Sequence, residues 1–266
     1  MELCFKPVKK EYLGVGTLPN GPFDIVNEWK PLTKYIESGA QKYPDKLMFK
    51  IGNSDGKIIE EYSCLEKNQK SNQVANGLID FGIKKGDKVG MYMLNSAEFV
   101  FSILGTHKTG GVQVPINKDE KGERLAYVIN YSEMSVLVVD ISGLPLIKEI
   151  SDKLENLKVI YIAGNSSDIP ENLNGIEVRS FDELYNFSDE NPNIAIGIKD
   201  QERCMFTSGT TGMPKGVVRE HGGVVMTVRS YLQYQGIRSE DTLMSVLSLG
   251  HANAQAMCLF ASIGSG

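Results

Sequence analysis

The sequence predicts an α/β fold: two βαβ-type subdomains with mostly parallel sheets flanked by helices, the second subdomain incomplete. Three observations carry this expectation. Short, continuously apolar runs such as VGMYML (89–94), VLVVD (136–140) and VIYIA (159–163) read as strands buried on both faces. Between them lie segments of about ten residues whose apolar positions recur at helical spacing. Glycines and other turn formers punctuate the joins. Such alternation implies βαβ units and a sheet covered on both sides.

The elements follow in order. Residues 1–31 read as an N-terminal extension and 32–165 as the first subdomain. Ser63 and Glu66 fit an S-x-x-E capping box. Val74, Leu78 and Phe81 then mark one helical face, and Gly82 is placed to end it. After the strand at 89–94, Asn95 or Ser96 can cap a helix carrying Phe99, Ile103 and Leu104, which Gly110 and Gly111 stop. VQVPI (112–116) is the next strand, followed by a helix near 122–131, the strand at 136–140, a helix over 145–156 and the strand at 159–163. Residues 166–200 are more polar and read as a connecting segment, with a short strand (IEVRS, 176–180) and a helical turn at 181–187. The second subdomain occupies 201–266, with strands at 203–207 and 242–247 and helices near 222–235 and 253–262.

Composition narrows the function classes. The 266 residues are 41% hydrophobic and 23% charged, the profile of a soluble globular protein. Lysine and arginine total 28 against 33 acidic residues, a net charge of −5 with no basic block, so no nucleic-acid partner is expected. The start, MELCFKPVKKEYLG, lacks the apolar core of a signal peptide, and no apolar run reaches the length of a membrane span. Cys4, Cys64, Cys204 and Cys258 are far apart and read as reduced, mostly packing thiols, which fits a cytoplasmic location. His107, His221 and His251 are too scattered to argue for a metal centre.

One stretch does not fit an ordinary connection. CMFTSGTTGMPKGVVREH (204–221) places Gly209, Gly212 and Gly216, the hydroxyls of Ser208, Thr210 and Thr211, and Lys215 in one loop between apolar runs. Glycines let backbone N–H groups converge on an anion, and the hydroxyls and the lysine add donors and charge. A plain surface turn has a similar composition. Against that, Met205, Phe206, Val217 and Val218 flank the loop closely and anchor it in a sheet. It is not a Walker A loop, because Pro214 stands where that motif has glycine before the lysine.

TSGTTGMPKG resembles the phosphate-binding signature of the adenylate-forming superfamily: acyl-CoA synthetases, aryl-CoA ligases, luciferases and nonribosomal adenylation domains. The resemblance extends from about residue 32 through KYPDK (42–46), 62–90, 95–117 and 125–140. It implies an AMP-forming acyl-CoA synthetase that activates a small-molecule carboxylic acid with ATP and passes the acyl group to CoA. Thr207, Ser208, Gly209, Thr210, Thr211, Gly212, Lys215 and Gly216 would hold the ATP phosphates, with Mg²⁺ sharing their charge. His251 in SLGHANAQ (248–255) matches a residue bordering the family's acid pocket, and Ala252, Asn253 and Gln255 join it. The His251-to-Gln255 spacing resembles carnitine-type CoA ligases. Gly250 and Ser248 replace an aromatic residue and a proline, which implies a more open wall. His221 is expected to cap a helix or pack, not to act as a base. The family's Mg²⁺ glutamate, ribose aspartate and main catalytic lysine would lie downstream of Gly266. These residues are therefore expected to form the N-terminal part of a longer ligase, inactive alone, with Met257, Leu259 and Phe260 exposed. A carrier-protein thiol as acceptor and a nucleotide-binding homologue without turnover are the alternatives.

Overall fold

The structure, a computed structural model, describes residues 29–164, 169–207 and 212–265. Most of the expected N-terminal extension and the loop residues Ser208, Gly209, Thr210 and Thr211 lie outside the described residues. Strands β1 (Leu47–Gly52) and β2 (Ile58–Ser63) form an antiparallel ribbon. The remaining strands are β3 (Lys88–Tyr92), β4 (Val112–Pro115), β5 (Val136–Asp140), β6 (Val159–Ala163), β7 (Asn172–Leu173), β8 (Ile176–Ser180), β9 (Gln201–Thr207) and β10 (Lys215–Glu220). They build one eight-stranded sheet in the order β10-β9-β4-β3-β5-β6-β8-β7. Every interior pair is parallel, and only the two outermost pairs are antiparallel.

The apolar runs become buried strands because successive side chains face opposite sides of the sheet. Val136 and Val138 enter one core cluster, whereas Leu137 and Val139 enter the other. Helices α1 (Leu32–Lys42), α2 (Cys64–Phe81), α3 (Ala97–Lys108) and α6 (His221–Gln235) supply the first cluster. Helices α4 (Gly122–Tyr131) and α5 (Leu144–Ile150) supply the second. The α2 capping box forms as expected: Glu66 N donates to Ser63 Oγ at 3.2 Å, and Ser63 N donates to Glu66 Oε2 at 2.8 Å. Ser96, not Asn95, caps α3 by accepting from Phe99 N. Gly105 brings α3 close to α2, since a Cβ there would meet Val74 Cγ1 at 2.7 Å.

Several expectations are corrected. The strand expected to open a separate sheet joins the first one, with β9 parallel to β4 at the register pair Gln113 and Arg203. The returning segment is held by amide side chains on one face of α2: Gln73 Nε2 donates to Tyr185 O, Asn72 Nδ2 to Asp189 O, and Asn76 Nδ2 to Ser188 O. Residues 242–247 enter no ladder, and Met244, Val246 and Leu247 are exposed. Leu259 and Phe260 are buried, because they share a cluster with Val224, Val225 and Val228 of α6. β10 is an exposed edge strand, with Val217 and Val218 both about half exposed on its two faces. The helix expected at 145–156 ends as α5 at Ile150 and continues as a single 3₁₀ turn, Ser151–Lys153. The last helical stretch comprises α7 (Ala252–Ala254), a π-helical turn (Gln255–Phe260) and α8 (Ala261–Ser265). No described helix is long and apolar enough to cross a membrane.

Two lysines lie inside the layer of α2 and α3. Lys108 Nζ donates to Asn68 Oδ1 and Asn191 Oδ1, both at 2.8 Å, whereas Lys67 Nζ is buried with no hydrogen-bond partner among the described residues. Burial pushes Lys67 down to about 8 and Lys108 down to about 7. Above those values the folded protein binds fewer protons than the unfolded chain, whose lysines titrate near 10.4. Stability should therefore rise with pH between about 7 and 9.5. Lys67→Met should stabilise the fold at pH 7 by on the order of 1–3 kcal/mol and flatten that rise. Thermal melts at pH 7 and 9.5 check this; an unchanged pH slope with a lower Tm would contradict it.

Candidate functional site

The sheet topology selects one edge. The connection from β3 runs to β4 on one side, and the connection from β4 runs back to β5 on the other. Open α/β sheets bind ligands outside the carboxyl ends of the strands at such a reversal. Since β9 is parallel to β4, the loop following Thr207 and the chain following Pro115 leave the sheet at this same edge.

The glycine-rich loop is closed by a hairpin. Thr207 pairs with Lys215 and Phe206 with Gly216 across β9 and β10, so residues 208–214 are held at both ends. Gly212 has φ 146°, in the region that favours glycine, and open space lies where a Cβ would be. Lys215 is exposed and has no ion-pair partner among the described residues.

The His251 turn meets the same edge by a different route. His251 N donates to Ser248 O at 2.9 Å, which closes residues 248–251 into a turn. Gly250 lies over the end of β4, where a Cβ would come within 3.6 Å of Ile116 O and 3.1 Å of Ser248 Oγ. Asn95 grips the turn with both ends of its amide: Leu249 N donates to Oδ1 at 2.7 Å, and Nδ2 donates to Leu247 O at 2.9 Å. His251, Ala252 and Asn253 are exposed, whereas Gln255 is fully buried and faces the sheet. The structure thus brings Lys215, Gly212 and His251 to one edge and turns Gln255 away from it.

Local sequence reading missed three features of this edge. Asn95 was legible only as a possible helix cap; because Ser96 takes that role, its amide is available to the turn. Asp140 ties the strand ends together, accepting from Lys118 Nζ at 2.9 Å, Gly143 N at 2.9 Å and Leu94 N at 2.6 Å. Burial alone would raise its carboxyl, but the bonds from Ser142, Leu94 and Lys118 hold it below the usual range. The third feature is a buried polar cluster of His107, Gln113, Glu202 and Arg203 beneath the turn. His221 is the first residue of α6, fully buried, with its ring 5.3 Å from that of His107. Burial pushes it down to about 3, which leaves a neutral packing imidazole. Cys64 and Cys204 are buried free thiols. Among the described residues, no three His, Cys, Asp or Glu side chains converge to hold a metal ion. A cavity of about 560 Å³ between Lys34, Glu37 and residues 191–197 involves none of the edge residues.

Residues 36–266 match the family profile described as AMP-binding enzyme. A crotonobetaine/carnitine–CoA ligase of Salmonella enteritidis is 29% identical over 231 residues, covering 85% of this chain and 43% of that protein. The chain thus spans less than half the length of this relative. Among solved structures, an anthranilate CoA ligase in complex with anthranoyl-AMP superposes with TM-score 0.80 at 25% identity, over 90% of this chain and 44% of its own. A long-chain-fatty-acid–CoA ligase from Archaeoglobus fulgidus shares the fold, with TM-score 0.77 at 22% identity over 90% of this chain and 46% of its own.

Asn95→Ala should loosen the turn without uncapping α3. Faster amide exchange at Leu249 and His251, with Phe99 unchanged, is the expected NMR result; equal acceleration at Phe99 would show that Asn95 serves the helix instead.

Proposed function

Because the chain belongs to the AMP-binding enzyme family, we propose that its carboxyl-end edge holds ATP and a carboxylic acid in an AMP-forming acyl-CoA ligase. The observation that carries this reading is the shared edge: the Lys215 loop follows β9, and the His251 turn lies over the adjacent β4. Adjacent strands are about 4.8 Å apart, a spacing that allows an acid and a polyphosphate to meet at one phosphorus atom.

The proposed reaction has two steps. A carboxylate oxygen attacks the α-phosphorus of ATP, the α–β bridging bond breaks, and pyrophosphate leaves with the bonding electrons. A thiol, that of CoA, then gives up its proton to solvent and attacks the acyl carbon; the acyl C–O bond to phosphate breaks, and AMP departs with the bonding electrons. Negative charge accumulates on pyrophosphate in the first step. Lys215, Gly216 and the backbone of the loop from Thr207 to Gly212 would spread that charge through donors already in place. Ser208, Gly209, Thr210 and Thr211 belong to this proposal by their sequence alone. Mg²⁺ supplies further charge neutralisation when it accompanies ATP. The described residues offer phosphate donors, not a metal cluster. His251, with Ala252 and Asn253 beside it, is exposed at the β4 end and is proposed to border the acid. Gln255 is buried, and its contribution must be indirect.

In the intact ligase, Lys215→Ala should slow adenylate formation by about 10²–10³-fold. Thioester formation from supplied acyl-adenylate should change little, because no pyrophosphate is present in that half-reaction. Equal slowing of the two, measured separately, would remove Lys215 from phosphate binding. His251→Ala should change the KM for the acid or the preference among acids and leave the KM for ATP near its original value. An unaltered acid profile would return His251 to a purely structural role.

A further inference from the structure

Gln113 on β4 and Gln255 at the start of the π-helical turn form a reciprocal amide pair. Gln113 Nε2 donates to Gln255 Oε1 at 3.1 Å, and Gln255 Nε2 donates to Gln113 Oε1 at 3.0 Å. The second hydrogen of each amide leaves the pair in a different direction. Gln255 Nε2 donates to Leu249 O at 2.8 Å, inside the His251 turn. Gln113 Nε2 donates to Glu202 Oε2 at 3.1 Å, on the strand that ends in the loop. His107 Nε2 lies 2.9 Å from the same oxygen, so that nitrogen carries a proton. Its 3.2 Å approach to Gln113 Nε2 is thus two donors sharing one acceptor. Arg203 Nη1 donates to Gln255 Oε1 at 3.2 Å, and its Nε stands 3.1 Å from Glu202 Oε1. Flipping either amide would set donor against donor, so the network fixes both orientations.

All five side chains are buried. Burial alone would raise the Glu202 carboxyl, but the His107 bond and the charges of His107 and Arg203 hold it below its ordinary value. An apolar set of equal volume would fill the space with no desolvation cost, so stability does not explain the cluster. Its distinguishing property is direction. It runs from Leu249 O through Gln255 and Gln113 to Glu202, joining the turn beside the acid to the strand beside the phosphates. The π-helical turn beginning at Gln255 coincides with the inward aim of this side chain, while Ala252 and Asn253 stay exposed.

We propose that Gln255 and Gln113 are positioning residues that set the His251 turn against β9, and so set the acid carboxylate relative to the ATP phosphates. This rests on the functional reading above and adds a specificity role for residues that touch neither substrate. The test compares Gln255→Met, Gln255→Glu and Gln113→Met with wild type in the intact ligase. Gln255→Met should lower kcat/KM for the acid by about 10–100-fold and leave the KM for ATP within about twofold. Gln255→Glu can still accept from Gln113 and Arg203 but cannot donate to Leu249 O, so it should share the acid defect. Gln113→Met keeps the Leu249 bond and should show a smaller defect. Parallel loss toward acid and ATP, or a wild-type acid KM in Gln255→Glu, would overturn the proposal. If wild type shows no carboxylate-dependent turnover, the functional reading fails, and positioning is read from amide exchange of His251 in the same variants. Faster exchange in Gln255→Met and Gln255→Glu than in Gln113→Met supports it, and unchanged exchange overturns it.

Discussion

The parallel pairing of β9 with β4 determines where everything else at the site can be. A strand entering the sheet in that direction must release its following loop at the edge where β3, β4 and β5 also end. Reversed, the same strand would carry the glycine-rich loop to the opposite edge, a full strand length from the His251 turn. The backbone register that fixes this direction is short, Gln113 opposite Arg203. Side chains reinforce it from both sides. The amide face of α2 returns the chain to the β4 side of the sheet, and the Gln113–Gln255 pair links β4 to the turn above it.

The molecule accepts destabilising groups in two places, and they differ in kind. Lys67 is a buried ammonium without a hydrogen-bond partner among the described residues, far in sequence from the loop and turn. The cluster of Glu202, His107 and Arg203 also holds buried charge, but there one carboxylate oxygen faces the His107 ring nitrogen and the other the Arg203 guanidinium. Paired charges of this sort contribute little net stability and much geometric definition. Through Gln255 the cluster reaches Leu249 O and so lies beneath the turn that carries the exposed His251, whereas Lys215 stands at the other end of β9, opposite Thr207.

Local pattern made much of this legible. The capping box at Ser63, the helical stripe ending at Gly82 and the doubly buried strands at 136–140 and 159–163 all follow from short-range chemistry. The loop stood out because glycines, hydroxyls and a lysine gather between two apolar runs. Long-range pairing was not readable. Residues 242–247 have the apolar character of a strand, yet a strand exists only where a neighbour completes its ladder, and none does among the described residues. Leu259 and Phe260 gave no sign of their partners on α6. Gln113, Glu202 and Arg203 resemble solvated residues until the fold encloses them. Gln255 fell within a motif for the acid pocket, but its burial shows that membership in a motif does not establish contact with the ligand.

The central claim is that the loop after β9 and the turn over β4 serve one ligand. Hydrogen–deuterium exchange of the protein, with and without a non-hydrolysable acyl-adenylate mimic bearing the acid and the adenylate in one molecule, tests it most directly. The account predicts that peptides covering 205–217 and 247–253 gain protection together, along one saturation curve. Protection of one segment with the other unchanged at saturation, or two curves with different midpoints, would contradict it.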